Sequence, residues 1–267
     1  MLWEIIKIMK KVLFKIKENI EIAENIFKMV LSGDTEEINK AGQFIDLKLS
    51  NYYLRRPISV SDFDDNSVTI VYKVLGKGTK FMTMLPRGHM IDALTGLGNG
   101  FDESKSGPSP LLIGGGVGIP PLLKLAKMFN EINVNPSIAL GFNSEKDAFY
   151  IDEFKELSSK VLVASVDGSI GVKGFVTDIC KDLMPSSFVY TCGPLSMLKS
   201  VYSFCEKYDI DGEFSFEERM GCGFGACMGC STETRELDVH GEPTGNIISK
   251  RICKEGPVLC RKEILWK

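Results

Sequence analysis

Leu111-Leu112-Ile113-Gly114-Gly115-Gly116-Val117-Gly118-Ile119-Pro120-Pro121 decides how the chain is read. Three apolar residues make a short buried strand, the glycines make a turn, and Pro120 suits the first position of a helix running towards Phe129. In an open α/β sheet such a turn receives a phosphate, because backbone N–H groups can come close and the helix end favours negative charge. Ile119 stands where the dinucleotide fingerprint has its third glycine, and no Gly-Lys-Ser/Thr follows, so neither the strict fingerprint nor a P-loop is present. A simple tight turn is the competing reading. The surrounding uncharged run, Ser106 to Leu123, has about the length needed to cross a bilayer. Its five glycines and four prolines would leave backbone groups unpaired in lipid, which rules that out.

Towards the C-terminus the same grammar repeats. Ser137 to Leu140, Val161 to Ala164 and Phe188 to Cys192 read as buried strands, with a helical stretch around Asp152 to Ser159. After Cys192-Gly193-Pro194 a helix carries Leu195, Leu198, Tyr202 and Cys205 at helical spacing. Strands alternating with helices imply a parallel sheet covered on both faces.

Towards the N-terminus the period changes to two. Ile45, Leu47 and Leu49 share one face of Gly42 to Leu49, and Val68, Ile70, Tyr72 and Val74 share one face of the next strand. Turn signals at Ser32-Gly33-Asp34, Asp62 to Ser67 and Gly76-Lys77-Gly78 divide such strands, predicting an antiparallel barrel or sandwich. Asp102 to Pro110 contains no apolar residue and marks a linker. The expected division is residues 1–103 as a β-barrel domain, 104–211 as an α/β nucleotide-binding domain and 212–267 as a small C-terminal module.

Composition narrows the function. With 32 basic against 35 acidic side chains and a net charge of −3, no positive field exists to hold nucleic acid or an anionic membrane. Eight cysteines stand beside two histidines. Met1 to Lys11 interrupts its apolar residues with Glu4, Lys7, Lys10 and Lys11, so no signal-peptide core is present and a cytoplasmic thiol or metal role is expected.

Five of those cysteines fall beyond residue 212. Cys222, Cys227 and Cys230 have the spacing C-x4-C-x2-C, with Cys253 and Cys260 as candidates for a fourth ligand. This is the plant-type spacing for a 2Fe-2S cluster, and Gly221, Gly223, Gly225 and Gly229 let the loop wrap with its sulfurs inward. A zinc site is the alternative, because Cys227 and Cys230 form a C-x2-C pair. Cys180 and Cys205 read as small buried hydrophobes, Cys192 ends a strand, and His89 and His240 read as exposed loop residues. In the barrel half, Arg55-Arg56-Pro57-Ile58-Ser59 and Gly78-Thr79 supply donors suited to a pyrophosphate, or a charged barrel rim. No catalytic dyad or triad is visible.

The order of parts adds what no single part carries. A barrel with Arg55-Arg56-Pro57-Ile58-Ser59, Tyr72-Lys73 and Gly76-x-Gly78-Thr79 precedes Gly96-Leu97-Gly98-Asn99-Gly100-Phe101 and the Gly114 to Pro121 turn. Glu217-Glu218-Arg219-Met220-Gly221-Cys222 and Cys253-Lys254-Glu255-Gly256-Pro257-Val258 close the series. Together these resemble the ferredoxin reductase superfamily, and within it the electron transfer subunits of NAD-dependent (class 1B) dihydroorotate dehydrogenases, over about residues 12–260. The resemblance implies FAD at Arg56, Pro57, Ile58, Ser59, Val71, Tyr72, Lys73, Gly78 and Thr79. It implies NAD at Gly114, Gly115, Gly116, Gly118, Cys192, Gly193 and Pro194, and a 2Fe-2S cluster on Cys222, Cys227, Cys230 and Cys253. The Cys-Lys-Glu-Gly-Pro context favours Cys253 over Cys260.

A role in pyrimidine biosynthesis follows from the resemblance: electrons from FMN of a separate catalytic subunit pass through 2Fe-2S and FAD to NAD⁺, in a heterotetramer with two copies of each chain. Lys73 in place of the usual arginine, Thr95 in place of a usual proline, and a longer stretch between Cys230 and Cys253 depart from the pattern. Alternatives are the flavin and iron-sulfur subunit of a ferredoxin:NADP oxidoreductase or sulfhydrogenase and, from a different class, a zinc-binding interaction protein. The double arginine favours the first reading.

Overall fold

Alternation governs the N-terminal half of the computed structural model, which describes residues 9–266. β1 (Lys10–Ala23), β2 (Ile26–Ser32), β3 (Phe44–Lys48), β4 (Arg56–Phe63), β5 (Ser67–Lys73) and β6 (Met90–Leu97) close an antiparallel barrel in the order β1-β2-β5-β4-β3-β6. Inward positions are apolar: Val12, Phe14 and Ile16 from β1, Ile45 and Leu47 from β3, and Val68, Ile70 and Tyr72 from β5 are buried in one cluster. Val74, expected on that inward face, lies past the end of β5 and is half-buried. Gly76-Lys77-Gly78 does more than turn. It opens a short helix, α1 (Lys77–Thr83), whose Thr79 Oγ1 accepts the amides of Leu75 and Gly76 at 3.0 and 3.2 Å.

The second half is a seven-stranded sheet. β7 (Pro110–Gly115), β8 (Ser137–Phe142), β9 (Val161–Ser165), β10 (Val172–Lys173), β11 (Phe188–Cys192), β12 (Gly212–Ser215) and β15 (Val258–Cys260) lie in the order β10-β9-β8-β7-β11-β12-β15, with only β15 antiparallel. Helices α2 (Pro120–Glu131), α3 (Ile151–Leu157), α4 (Val176–Cys180) and α5 (Leu195–Tyr208) connect the strands, and two apolar clusters, one containing α2 and the other α5, lie against the sheet. From β7 the chain runs outward through β8 to β10, then returns to β11 on the other side. That reversal opens a crevice at the carboxyl ends of β7 and β11.

Residues beyond 212 are not detached from this sheet: β12 and β15 extend it, and between them a hairpin of β13 (Ser231–Leu237) and β14 (Pro243–Arg251) carries the cysteines at its base. Cys180 and Cys205 are fully buried, and His89 and His240 are exposed. Among the described residues no helix is long and apolar enough to cross a membrane.

Barrel and sheet meet through apolar packing, with Ile26 and Val71 in the α2 cluster, and through polar contacts. Lys127 pairs with Asp62 at 2.5 Å, Lys124 Nζ donates to the Phe63 carbonyl at 3.0 Å while covering the Phe63 ring, and the Glu24 amide donates to the Lys146 carbonyl.

Candidate functional site

The crevice at the sheet's switch point is a cleft of about 320 Å³ that reaches the barrel. Gly115, Gly116 and Val117 from the first turn, Asn143 after β8, Val166 after β9, Phe175 before α4 and Pro194 with Met197 from α5 line the sheet side, and Lys73 and Ile26 line the barrel side. Close approach and backbone conformation, at different positions, account for the glycines. A Cβ on Gly118 would strike the Cys192 carbonyl oxygen, and one on Gly115 would strike the Met197 sulfur. Gly116 sits at φ +51 with nothing within 4 Å of where a Cβ would be, so its backbone faces open cleft. Cys192 pairs with Gly114 across the sheet and is buried, and burial pushes its thiol up to about 12. It is therefore a neutral wall beside the glycine turn. Gly114, Gly115, Gly116, Gly118, Cys192, Gly193 and Pro194 are thus drawn together at the carboxyl ends of β7 and β11.

The residues expected at a flavin divide into two sets. Arg56, on β4, lies over the Tyr52 ring at 5.1 Å, donates to the Leu54 and Arg55 carbonyls at 2.7 and 3.0 Å, and rests its guanidinium against Gly78, where any side chain would collide with it. Arg56, Gly78 and Thr79 therefore share one rim, with the donors a pyrophosphate needs. Pro57, Ile58 and Ser59 continue β4 alongside β3. Tyr72 belongs to the other set: its ring is buried inside the barrel and its hydroxyl donates to Asn19 Oδ1 at 2.9 Å, so only its backbone faces outward. Val71 is buried in the cluster shared with the sheet domain. Lys73 Nζ reaches across to Asp147 of the sheet domain at 3.2 Å, bridging the two halves at the mouth of the cleft.

The cysteines stand as two pairs. Cys230 and Cys253 Sγ atoms are 3.2 Å apart, and the Cys253 amide donates to Cys230 Sγ. Cys222 is bonded by the Cys227 thiol. Burial opposes its ionisation, but the Cys227, Phe224 and Ala226 amides and that thiol bring it down to about 6. Burial and the Cys230 thiol push Cys253 up to about 12. A 2Fe-2S cluster takes its thiolates as two pairs, one pair on each iron, and the donor set fits that group, with amide hydrogen bonds already on the Cys222 and Cys230 sulfurs. Gly223 at φ +79 and Gly225 at φ +88 make the loop's reversals. Cys260 lies in β15, with its amide donating to Glu263 at 2.9 Å.

Barrel and cysteine segment touch: Phe44, Leu94 and Leu97 share an apolar cluster with Cys230 and Cys253, and Asn99 after β6 donates to the Glu255 and Val258 carbonyls at 3.2 and 2.7 Å. Asp46, on the outer face of β3 opposite Pro57, is buried against Gly223, and its Oδ1 has no hydrogen-bond partner. Burial, against the pull of Arg55 and Arg56, raises its carboxyl to about 7. Asp46, Asn143, Asp147 and Phe175 had no motif to announce them. The place of Asn143 directly after a parallel strand was the readable signal, because such positions face the crevice.

Comparison with known proteins places this geometry. Residues 217–265 match the iron-sulfur cluster binding domain of dihydroorotate dehydrogenase B, and residues 112–203 match the oxidoreductase NAD-binding domain. The dihydroorotate dehydrogenase B (NAD⁺) electron transfer subunit of Fusobacterium nucleatum is 38% identical over 93% of this chain and 96% of its own length. That of Lysinibacillus sphaericus is 41% identical over 89% and 92%, and that of Bacillus velezensis 40% over 96% and 99%. The chain belongs to the family of dihydroorotate dehydrogenase B electron transfer subunits.

Among solved structures, an NADH-dependent reduced ferredoxin-NADP oxidoreductase aligns with this family member at a TM-score of 0.81 and 29% identity, covering 95% of this chain and 90% of that one. An Amycolatopsis cytochrome P450 reductase, at a TM-score of 0.66 and 19% identity over 74% and 66%, shares the fold. The alternative of a ferredoxin:NADP oxidoreductase subunit fits less well, since the more identical relatives are electron transfer subunits. Iron-sulfur binding by residues 217–265 likewise displaces the zinc reading.

Proposed function

We propose that this chain carries electrons between an FMN-containing dihydroorotate dehydrogenase subunit and NAD⁺, using a 2Fe-2S cluster on Cys222, Cys227, Cys230 and Cys253, FAD against the barrel and NAD in the cleft. The observation that carries the reading is the arrangement of three sites around one junction. The Arg56–Gly78 rim lies on the barrel, the cleft opens between Lys73 and Gly116, and the paired cysteines sit against β3 through Asp46 and Gly223. A flavin exchanges electrons singly with an iron-sulfur cluster and in pairs with a nicotinamide, so it supplies the conversion that joins the two.

The chain's own residues do the holding. Arg56 and the amides around Gly78 would receive the flavin pyrophosphate, Pro57, Ile58 and Ser59 with the backbone of Val71 and Tyr72 would hold the rest of the flavin, and Thr79 fixes the turn. Lys73 contributes charge at the cleft mouth without the fork of an arginine. Gly114, Gly115, Gly116 and Gly118 admit the NAD pyrophosphate, and Cys192, Gly193 and Pro194 wall the nicotinamide end. The division into residues 1–103, 104–211 and 212–267 follows the three cofactors, with the last part sharing its outer strands with the sheet.

Dihydroorotate is oxidised on the partner, and the assembly contains two copies of each chain in the cytoplasm, a setting that suits eight cysteines outside disulfides, four of them kept as cluster ligands. Co-purification with the FMN subunit tests this. The pair is expected to reduce NAD⁺ with dihydroorotate and this chain alone is not; turnover by the chain alone would sink the division of labour.

A further inference from the structure

The cysteine loop and the turn bearing Cys253 come from distant parts of the sequence, and one side chain ties them together. Arg251, the last residue of β14, donates from Nη1 to the Gly225 carbonyl at 2.8 Å. Its amide and Nε both donate to Glu255 Oε2, at 2.8 and 3.0 Å, and its Nη2 meets Glu255 Oε1. Glu255 is itself held, because its amide and that of Lys254 donate to the Arg251 carbonyl. The Lys254 stem packs against Gly225, where a Cβ would come within 2.7 Å of it. On the other side of Arg251, the Ile252 amide donates to the Cys230 carbonyl at 3.1 Å.

The guanidinium is therefore fixed at both ends, half-buried, and two residues from Cys253 in a turn whose sulfur is 3.2 Å from that of Cys230. A planar fork with a permanent charge suits this double duty, since one edge grips a carboxylate while a remaining N–H reaches a carbonyl.

We propose that Arg251 is a positioning residue for the cluster: it clamps the Cys222–Cys230 loop onto the Cys253 turn and sets a fixed positive charge beside the Cys230/Cys253 pair, raising the cluster's reduction potential. One-electron reduction adds a negative charge to a group already surrounded by four thiolates, so a nearby cation favours the reduced form. Glu255 holds the clamp and moderates its charge. The inference rests on the four-cysteine reading above, and the wild-type cluster signal tests that reading separately.

The test is an anaerobic redox titration of the FAD-loaded chain, following the cluster by electron paramagnetic resonance, together with the rate of iron loss to a chelator. Arg251→Gln is expected to shift the cluster's midpoint potential down and Glu255→Gln to shift it up. Arg251→Lys is expected to keep the potential near that of the wild type. Both arginine variants lose the fork and should release iron roughly 10–100-fold faster, the usual effect of removing an outer hydrogen-bond partner of a metal site. If Arg251→Gln fails to take up iron, the direction of the Glu255→Gln shift and the potential of Arg251→Lys decide. Unchanged potentials in Arg251→Gln and Glu255→Gln, or shifts of the same sign for the two, would overturn the proposal.

Discussion

The barrel and the cysteine segment are both cofactor seats, but they are built on opposite principles. The barrel holds its shape with an apolar interior of its own, in which Phe14, Ile16, Met29, Leu31, Ile45, Leu47, Val60, Val68 and Ile70 are fully buried, and it presents Arg56 and the Gly78 turn on the outside. The loop from Cys222 to Cys230 has no such interior. Phe224 and Met228 are exposed, and its order comes from glycine reversals, the Arg251 clamp and the cysteines themselves. Removing a cofactor should leave the first standing and loosen the second. Shape and binding are separable in the barrel, whereas in the loop they are one property.

That contrast can be attacked directly. Cys253→Ser should abolish the 2Fe-2S absorption and iron content while FAD remains stoichiometric, and Cys260→Ser should change neither; metal analysis and visible spectra of the purified variants decide. Chelation of iron from the wild type should raise amide hydrogen exchange by more than an order of magnitude across residues 222–230 and leave β1 to β6 unchanged, because local opening follows local stability. Exchange rising equally in both would erase the distinction.

Arg56→Ala should cost about 1.5–3 kcal/mol of flavin affinity, the usual worth of a charge-assisted hydrogen bond, with cluster content intact. Flavin titration into the stripped protein measures it.

Asp46, at the junction of the two regions, gives a pH signature. Its carboxyl is raised by burial to about 7, against an ordinary value of 3.8, so ionising it is harder in the folded chain than in the unfolded one. Its contribution is intact at pH below about 4 and is lost as pH rises to about 7. Asp46→Asn should remove that loss and make the protein more stable at pH 8 than the parent, on the order of 2–4 kcal/mol, with the gain shrinking towards pH 5. Denaturant titrations at the two pH values read it. The smallest effect belongs to Tyr72→Phe: loss of the bond to Asn19 should cost the barrel about 1 kcal/mol and leave flavin affinity unchanged. A large loss of flavin affinity would instead place the Tyr72 hydroxyl at the cofactor.

Tyr72 also shows where a sequence can be read two ways. The alternation Val68, Ile70, Tyr72 points the ring inward, and the ring is buried there against Asn19; the family resemblance implies a flavin contact at the same residue, which leaves only its backbone to make it. The parallel strands and α2 were legible because buried runs and a proline-led helix leave strong local patterns. α1 was not, since Gly76-Lys77-Gly78 reads as a turn and its seven residues carry no apolar stripe long enough to count. β12 and β15 were equally hidden: a four-residue and a three-residue strand gain their meaning only by pairing with each other and, through β12, with β11. The cysteine spacing announced the cluster, but Asp46 and Arg251 act through contacts between segments far apart in the chain, and no local pattern records those.

The proposed electron path requires electrical continuity between the cleft, the barrel rim and the paired cysteines. Anaerobic titration of the holoprotein with NADH, followed by absorbance and by electron paramagnetic resonance, tests it most directly. Flavin and cluster should both become reduced in the wild type, and only the flavin in Cys253→Ser. A wild-type cluster that stays oxidised while the flavin is fully reduced would contradict it.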